Sequence, residues 1–386
     1  MQEYIDFIRS LYPDKGALPL HEPAFGKMEE ELVVDCVRST FVSTVGKYVD
    51  EMERMVVDFT GIPYAVAIVN GTQALYLALL LAGVKAGDLV ITQSLSFVAT
   101  SNAIRYCGAD PAFVDVDNNT MGLSPESLRE FLGGCQRDAN GWTHIASGRR
   151  IAAIVPMHTL GHVCQIGEIA RIARESDIPL VEDAAESLGS REGETHTGSH
   201  GIMGTLSFNG NKVITTGGGG MIVTSNEALA KKAKHLSTTA KVPHPYEFMH
   251  DSVGYNFRMP NLNAALGVAQ MRRLPSLLEG QRYVADQYRE FFAGRSDVTF
   301  FTGRDGLGST SNFWLNCLLF EDLPARNAFL EMTNKQKMFT RAMWKPLHTL
   351  PMFFECPRTD VPVTMDFYNR AVHCPATVPG RFVIEA

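Results

Sequence analysis

Short apolar segments alternate with amphipathic segments between residues 64 and 181. The apolar segments have the length of buried strands, and the amphipathic segments have the apolar spacing of helices. Such alternation indicates an α/β fold in which helices cover a mainly parallel sheet, with ligands beyond the carboxyl ends of its strands. The predicted strands are 64–69, 89–92, 111–116, 151–156 and 178–181, and the predicted helices are 74–82, 97–106, 167–176 and one that starts at Ser124 and Pro125.

The rest of the chain indicates a second, smaller domain. A chain of 386 residues is too long for one ordinary hydrophobic core. A long helix is predicted from Asn261 to about Phe292, and strands and a further helix follow it, as is typical of a small α+β domain. We expect a large domain over residues 1–255 and a small C-terminal domain over residues 256–386. The polar stretch 133–149 is predicted to be an irregular surface excursion.

Composition and charge exclude several classes of protein. The net charge is −7, from 35 basic and 42 acidic residues, and no basic run stands out, which argues against nucleic acid as a partner. The 7 cysteines include no CxxC pair and indicate reduced thiols, with no disulfide framework and no metal site. The most apolar run, Ala74 to Val84, is too short for the ~20 residues of a membrane span. The first ten residues lack a signal peptide's apolar core, so we expect a cytoplasmic enzyme with no membrane partner.

One lysine, Lys212, lies between a short apolar run and the glycines Gly217–Gly220. Ser207 and Asn209 precede it and have no obvious helix to cap. A glycine run either bends sharply or lets another backbone or a ligand approach closely. A primary amine in such a place is suited to form a Schiff base with an aldehyde cofactor. The alternative is a solvated lysine in a glycine-rich turn, and this stretch alone leaves both open.

A second candidate site follows the first predicted strand, which ends in Asn70, Gly71, Thr72 and Gln73 before a helix. The free N–H groups at a helix start, together with the helix dipole, bind anions. The Thr72 hydroxyl can add a hydrogen bond. The alternative is an ordinary N-cap.

Two acids, Glu182 and Asp183, follow the predicted strand 178–181, at the edge where ligands bind. They can also be read as charges at a helix start. A pyridine cofactor needs a carboxylate at its ring nitrogen to stay protonated and withdraw electrons. An Asp and a lysine about thirty residues later, at one sheet edge, would suit such a cofactor.

Together these motifs resemble the DegT/DnrJ/EryC1/StrS family of sugar aminotransferases. Members are pyridoxal phosphate (PLP) enzymes of fold type I, the aspartate-aminotransferase fold, and the resemblance covers nearly the whole chain. The motifs that carry it are, in chain order, NGTQAL (70–75), SFVAT (96–100), VPMHTLG (155–161), VEDAAESLG (181–189), SFNGNK (207–212), GYNFRM (254–259) and RAMWKPLH (341–348).

The resemblance implies pyridoxal 5'-phosphate as the cofactor and Lys212 as its Schiff-base lysine. Asp183 is then the partner of the pyridine nitrogen, and Phe97 stacks on the ring. Asn256 reaches the phosphate of the neighbouring subunit, which implies a homodimer with shared active sites, most simply with C2 symmetry. The full implied set of cofactor contacts is Gly71, Thr72, Gln73, Phe97, Asp183, Glu186, Ser207, Asn209 and Asn256.

The chain departs from the family pattern at Glu186, where most members carry Gln or His near the phenolic oxygen of the cofactor. A carboxylate there would be repelled by a phenolate, so Glu186 is either protonated or makes a different contact. Ala342 replaces a common Pro, and TTGGGG replaces TGEGG. With FVSTVGKYV (41–49), these departures look most like the subfamily that aminates nucleotide-linked 4-keto-6-deoxy sugars for legionaminic-acid-type nonulosonic acids.

The implied reaction transfers an amino group from glutamate to C4 of such a sugar, for nonulosonic acid or surface-glycan biosynthesis. The candidate residues for the sugar-nucleotide side are His158, Arg258, Trp344 and His348, each with a structural alternative such as an interface ion pair, a packed indole or a satisfied histidine. Other functions stay open: amination of a 3-keto sugar, a PLP-dependent sugar dehydratase or a non-catalytic regulator. Dehydratases typically replace the lysine by histidine, and a nicotinamide enzyme would need the missing GxGxxG motif.

Overall fold

The computed structural model describes residues 1–139 and 141–383. In these residues the α-helices are α1 (Gln2–Ser10), α2 (Lys27–Ser39), α3 (Lys47–Thr60), α4 (Gly71–Leu81), α5 (Val98–Tyr106), α6 (Pro125–Gly133), α7 (Ile166–Ser176), α8 (Glu227–Ser237), α9 (Asn261–Phe292), α10 (Leu323–Lys335) and α11 (Pro362–Arg370). The strands are β1 (Tyr64–Ile68), β2 (Leu89–Gln93), β3 (Asp110–Val114), β4 (Cys135–Asp138), β5 (Gly141–His144), β6 (Arg149–Val155), β7 (Val181–Asp183), β8 (Arg191–Glu192), β9 (Thr195–His196), β10 (Met203–Ser207), β11 (Gly220–Thr224), β12 (Lys241–Val242), β13 (Met249–His250), β14 (Val298–Phe300), β15 (Ser309–Thr310), β16 (Asn316–Phe320), β17 (Arg341–Ala342) and β18 (Ala371–Cys374).

The large sheet has the strand order β3-β2-β6-β7-β10-β11-β1. Strand β11 runs antiparallel to both of its neighbours, and the other strands of this series run parallel to one another. The two halves meet through parallel bridges from Ile154 to Leu180 and from Met157 to Asp183. The predicted mainly parallel sheet with helices between its strands is therefore confirmed, and the carboxyl ends of the parallel strands share one edge.

Strand β7 begins later than the sequence predicts, because the predicted strand 178–181 contains Pro179. Proline has no N–H to donate to a ladder, and the regular pairing of β7 with β10 starts at Val181. Glu182 and Asp183 are therefore the last residues of the strand and do not follow it. Their side chains point to opposite faces of the sheet, as successive residues of a strand do.

Residues 133–139 and 141–149 lie at the surface, as predicted, but the prediction that this stretch is irregular is wrong. Strands β4 and β5 form an antiparallel hairpin there, and β5 extends the sheet beyond the start of β6. The polar residues of the hairpin hide this pattern in the sequence. Trp142 helps to hold the hairpin, because its Nε1–H donates to the carbonyl oxygen of Ser176 at 2.6 Å.

Helix α9, which is 32 residues long, joins the two parts of the molecule. Near its start, Val268 packs in one core with Met52 of α3. Near its end, Tyr288 packs in another core with Ile8 of α1 and the antiparallel sheet β14-β16-β18-β17. This C-terminal α+β unit is confirmed, and α1 belongs to it by packing. The division into residues 1–255 and 256–386 stays a prediction.

No described helix is long and apolar enough to cross a membrane. All 7 cysteines are free thiols. Within residues 1–139 and 141–383, no cluster of three or more His, Cys, Asp or Glu side chains could hold a metal ion.

Candidate active site

A cavity of about 530 Å³ lies at the carboxyl edge of the large sheet. We call its two sides the sheet wall and the C-terminal wall. The sheet wall includes Asn70, Gly71, Thr72, Phe97, Thr100, Asp183, Glu186, Ser207, Asn209 and Lys212. The C-terminal wall consists of Leu20, Trp314, Leu315, Arg341, Ala342, Trp344 and His373. Among the predicted site residues, the cavity thus gathers Gly71, Thr72, Phe97, Asp183, Glu186, Ser207, Asn209, Lys212 and Trp344.

The start of α4 forms one end of the cavity. Asn70 caps the helix by accepting a hydrogen bond from the Gln73 N–H at 2.8 Å. Ser207, at the end of β10, packs against Gly71, where a β-carbon would lie 2.9 Å from that of Ser207. In the described part of the chain, no group accepts a hydrogen bond from the N–H groups of Gly71 and Thr72. These donors, the helix dipole and the Ser207 hydroxyl form an anion site.

The glycine run lets two backbone segments meet at this end of the cavity. A β-carbon at Gly220 would lie 2.5 Å from the carbonyl carbon of Asn70, so only glycine allows this approach. Gly217 has a φ of +79°, which is the left-handed region where glycine is favoured. Both consequences expected of the run, a sharp bend and a close approach, therefore occur.

Lys212 projects into the cavity with 13% of its side chain exposed. Its Nζ lies 3.2 Å from Oε1 of Glu186 and 3.7 Å from the ring centroid of Trp314. The backbone turn that places it is closed by its own N–H, which donates to the carbonyl oxygen of Asn209 at 3.0 Å. The lysine is thus an ordered group of the cavity, and the alternative of a solvated lysine does not describe it.

Asp183 presents its carboxylate to the cavity from the end of β7. The Thr100 hydroxyl donates to Oδ2 at 2.7 Å, and the Ala185 N–H donates to Oδ1 at 3.2 Å. Burial raises the pKa of Asp183 above its ordinary value, and the hydrogen bond from Thr100 opposes this effect. A cation placed against the carboxylate would favour its charged form.

Glu186 is the second acid of the cavity, and it is almost fully buried. The Leu160 N–H donates to its Oε2 at 2.9 Å, while Oε1 faces Lys212. Burial raises its pKa to about 7, against the opposing charge of Lys212. The group can therefore hold or release a proton near neutral pH.

His158 does not reach the cavity, contrary to its predicted place on the substrate side. It is fully buried, and its Nε2–H donates to Oε2 of Glu182 at 3.1 Å. Glu182 also accepts hydrogen bonds from the N–H groups of Gly198, His200 and Gly201. Burial disfavours its charge, but the His158 hydrogen bond holds its pKa below the ordinary value. The pair supports β7 from the face opposite Asp183.

Four other predicted residues lie outside the cavity lining. Gln73 belongs to the first turn of α4, its N–H donates to Oδ1 of Asn70, and in the described part of the chain its Oε1 is buried without a hydrogen-bond partner. Nδ1 of His348 lies 2.6 Å from Oγ of Ser94. Asn256 is exposed. Arg258 lines a separate open groove with Thr238, Lys241 and His244.

Three residues of the C-terminal wall were missed by the sequence analysis: Trp314, Arg341 and His373. Trp314 and His373 lie in apolar stretches that read as core strands. Arg341 begins the motif RAMWKPLH and could have been singled out as a cation near the site. The contact between Trp314 and Lys212 joins residues about a hundred positions apart, and no local pattern signals it.

Comparison with known proteins identifies the chain. Residues 23–379 match the DegT/DnrJ/EryC1/StrS aminotransferase family. The chain belongs to this family. This aminotransferase is 32% identical over 359 residues to GDP-perosamine synthase of Escherichia coli O157:H7, with 93% of each chain covered. It is also 32% identical over 361 residues to EpsN of Bacillus subtilis, which is named as a pyridoxal phosphate-dependent aminotransferase, with 92% of this chain and 90% of EpsN covered.

A solved structure supports the same assignment. The aminotransferase TlmJ from Streptoalloteichus hindustanus superposes with a TM-score of 0.85 at 25% identity, and 93% of each chain is covered. This chain is therefore an aminotransferase of fold type I, and its cofactor is pyridoxal phosphate.

The residues present fit that cofactor on three observations. The N–H groups of Gly71 and Thr72, which have no acceptor among the described residues, lie beside Ser207 and suit a phosphate. The buried carboxylate of Asp183 suits a protonated ring nitrogen. The amine of Lys212 lies in the same cavity and suits an aldehyde.

Proposed function

We propose that this aminotransferase moves an amino group from glutamate to C4 of a nucleotide-linked 4-keto-6-deoxy sugar. The observation that carries the proposal is that Lys212 and Asp183 line one cavity whose end is the open start of α4. The name of the Escherichia coli relative, GDP-perosamine synthase, supports a substrate linked to a nucleotide. The C4 position and glutamate rest on the resemblance of the motifs and departures described above.

Gly71, Thr72 and Ser207, with Asn209 nearby, would hold the cofactor phosphate, and Phe97 would cover the ring. The ring of Phe97 is half exposed at the cavity and meets Trp344 edge-on at 6.1 Å, so a face is available for stacking. Asn256 would complete the phosphate site from the neighbouring subunit. When bound, pyridoxal phosphate supplies an aldehyde that bonds amines and a ring that withdraws electrons.

The side chains of the sheet wall divide the proton transfers between them. Asp183 would keep a proton on the ring nitrogen through its negative charge. Lys212 Nζ would take the proton from the α carbon of the donor, because it is the amine that lines the cavity together with Asp183. Glu186, with Oε1 3.2 Å from Nζ, is close enough to exchange a proton with the lysine.

A homodimer with shared sites is part of the proposal. Apolar side chains are exposed at Val45, Tyr246 and Phe248, as expected of a surface that another subunit covers. The open groove is lined by the cations Lys241 and Arg258, whose charges suit a diphosphate. We propose that this groove and Asn256 face the cavity of the partner subunit in a C2 dimer.

The product would serve nonulosonic acid or surface-glycan biosynthesis, and we propose a cytoplasmic location. The free thiols support a reducing compartment. Of the predicted substrate residues, Trp344 lines the cavity, and Arg258 would act from the partner subunit. His348 and His158 contact Ser94 and Glu182, and they would act by supporting the walls.

The test is an assay with purified protein, pyridoxal phosphate, glutamate and GDP- or UDP-linked 4-keto-6-deoxy sugars, followed by mass spectrometry. We expect one amino group on the sugar for each 2-oxoglutarate formed, and no product with Lys212→Ala. Amination of a 3-keto sugar alone would overturn the C4 assignment. Loss of water from the sugar without glutamate consumption would indicate a dehydratase, and no reaction with any keto sugar would favour a non-catalytic role.

A further inference from the structure

Trp314 belongs to the C-terminal unit, yet it is fastened to the segment that carries Lys212. Its side chain is nearly fully buried, and its Nε1–H donates to the carbonyl oxygen of Asn211 at 2.6 Å. The ring face lies 3.7 Å from Nζ of Lys212. The indole is thus fixed by the residue next to the lysine and turned toward the amine itself.

Asn312 fastens the segment of Trp314 to the segment that carries Glu186, the acid that faces the lysine. Its Nδ2–H donates to the carbonyl oxygens of Glu186 and Leu188 at 2.8 and 3.0 Å, and its Oδ1 accepts from the Trp314 N–H at 2.9 Å. Gly161 makes room for this amide, since a β-carbon there would lie 1.8 Å from Oδ1. The positions of the indole and the carboxylate are therefore set relative to each other through one amide side chain.

The lysine amine consequently has two partners of different chemistry. The carboxylate of Glu186 attracts an ammonium by charge and hydrogen bonding, and the face of an indole attracts it through the ring quadrupole. The attraction to the indole is stronger where water is excluded. The Lys212 side chain is only 13% exposed, so this condition is met here. Among the described residues that line the cavity, Glu186 and Trp314 are the groups recorded in contact with Nζ.

We propose that Trp314 and Glu186 form a docking site that holds the Lys212 ammonium whenever the lysine is not bonded to the cofactor. Trp314 is in this sense a positioning residue, which acts through the lysine and keeps its amine beside the cavity. This inference rests on the proposed function for its purpose, because only a cofactor-bonding lysine needs such a resting place. The site itself is a property of the protein without cofactor.

The experiment measures how fast the free amine reacts in the apoenzyme. Competitive acetylation with trace acetic anhydride is followed by mass spectrometry of the Lys212 peptide, with exposed Lys231 as internal reference. Only the neutral amine reacts, so a docked ammonium is protected. Trp314→Leu should raise the relative acetylation rate of Lys212 about fivefold, by loss of the cation–π contact. Trp314→Phe keeps an aromatic face and should stay within about twofold of wild type.

Trp344→Leu is the matched control, because it opens the same cavity from the same wall without a recorded contact to the lysine. It should leave the Lys212 rate within about twofold of wild type. An unchanged rate in Trp314→Leu would overturn the proposal. So would an equal rise in Trp314→Phe or in Trp344→Leu, since space or water access would then explain the effect. Failure of the aminotransferase assay would not alter these rates, so the two proposals fail separately.

Discussion

The sheet wall of the cavity is made from strand ends and the start of α4, whereas the C-terminal wall is made from Leu20 and side chains spread over residues 314–373. The predicted residues of the sheet wall each lie in one short sequence motif. Backbone contacts, such as that of Gly220 with Asn70, fix their positions. The C-terminal wall depends on contacts between distant segments. We infer that the sheet wall carries the cofactor chemistry and that the C-terminal wall selects the substrates, so substitutions on the two walls should change different kinetic constants.

The largest effect is expected at Asp183. Asp183→Asn removes the charge that keeps a ring nitrogen protonated, and kcat should fall by about 10²–10³-fold, the scale seen when a fixed electrostatic group is removed. KM for the sugar should change little, because the C-terminal wall is intact. Steady-state kinetics with a saturating cofactor would measure both constants.

Asp177→Asn is the control, because it removes an exposed acid just before the same strand. It should keep kcat within about twofold of wild type, as most surface substitutions do. A rise in KM at constant kcat for Asp183→Asn would mean that the acid serves binding, and the contrast between the walls would be lost.

The second effect concerns Glu186 and the pH dependence of stability. Its pKa rises from 4.5 to about 7 in the folded protein, so the folded state binds this proton more tightly than the unfolded chain. The resulting stabilisation is complete below pH 4.5 and is lost as pH rises through 7. A glutamine at position 186 does not titrate. The unfolding free energy of Glu186→Gln minus that of wild type should therefore grow by roughly 3 kcal/mol as pH rises from 4.5 to about 7.

Urea unfolding of the apoenzymes between about pH 4.5 and pH 8 would measure this difference. Glu194→Gln is the matched control, since Glu194 is an exposed acid of the same region. Its difference from wild type should stay constant within about 0.5 kcal/mol. A constant difference for Glu186→Gln as well would show that the acid titrates normally.

Gly220→Ala should disturb the anion site without touching any side chain of the cavity. The new β-carbon would lie 2.5 Å from the carbonyl carbon of Asn70, so the start of α4 has to shift. Overpacking of this kind costs about 1–3 kcal/mol, and we expect the Kd for pyridoxal phosphate to rise at least about tenfold.

Gly210→Ala is the matched control in the neighbouring loop, where a β-carbon would have no heavy atom within 4 Å. Its Kd, measured by fluorescence titration of the apoenzyme, should remain near that of wild type. Equal affinities for both variants would show that the close backbone approach does not shape the cofactor site.

The smallest effect tests the C-terminal wall. Among the described residues that line the cavity, Arg341 is the one that carries a guanidinium group. One of its nitrogens donates to Oδ1 of Asn334 at 3.0 Å, and its other N–H groups are left for a carboxylate or phosphate. Arg341→Gln should raise KM for glutamate about fivefold to tenfold and leave kcat nearly unchanged. Lys345→Gln removes an exposed charge from the same segment outside the cavity and should change neither constant. A fall in kcat alone would contradict a binding role for Arg341.

The sequence predicts most of the sheet wall because hydrophobic periodicity and turn residues are patterns of neighbouring positions. The start of α4, the end of β10 and the Lys212 turn each follow from a few neighbouring residues. Prediction from the sequence fails where polar residues form strands, as in the β4–β5 hairpin. It also fails at Pro179, after which the regular pairing of β7 begins only at Val181. His158 illustrates a different limit, because only the fold shows that a motif histidine contacts buried Glu182.

The C-terminal wall could be predicted only in part, for a physical reason. Trp344 lies in a motif, but Trp314 reaches Lys212 across the boundary between two packed units. The position of such a residue depends on how α9 and the antiparallel sheet pack, and no local pattern contains that information. For the same reason the sequence does not reveal that Asn256 and Arg258 lie outside the cavity lining.

The most direct test of the central claim is an absorbance spectrum of wild type and Lys212→Ala with pyridoxal phosphate, recorded before and after glutamate is added. The account predicts that wild type shows a band near the visible edge that glutamate removes, and that the variant lacks this response. Identical spectra for the two proteins would contradict it, because Lys212 would then not be the residue that bonds the cofactor.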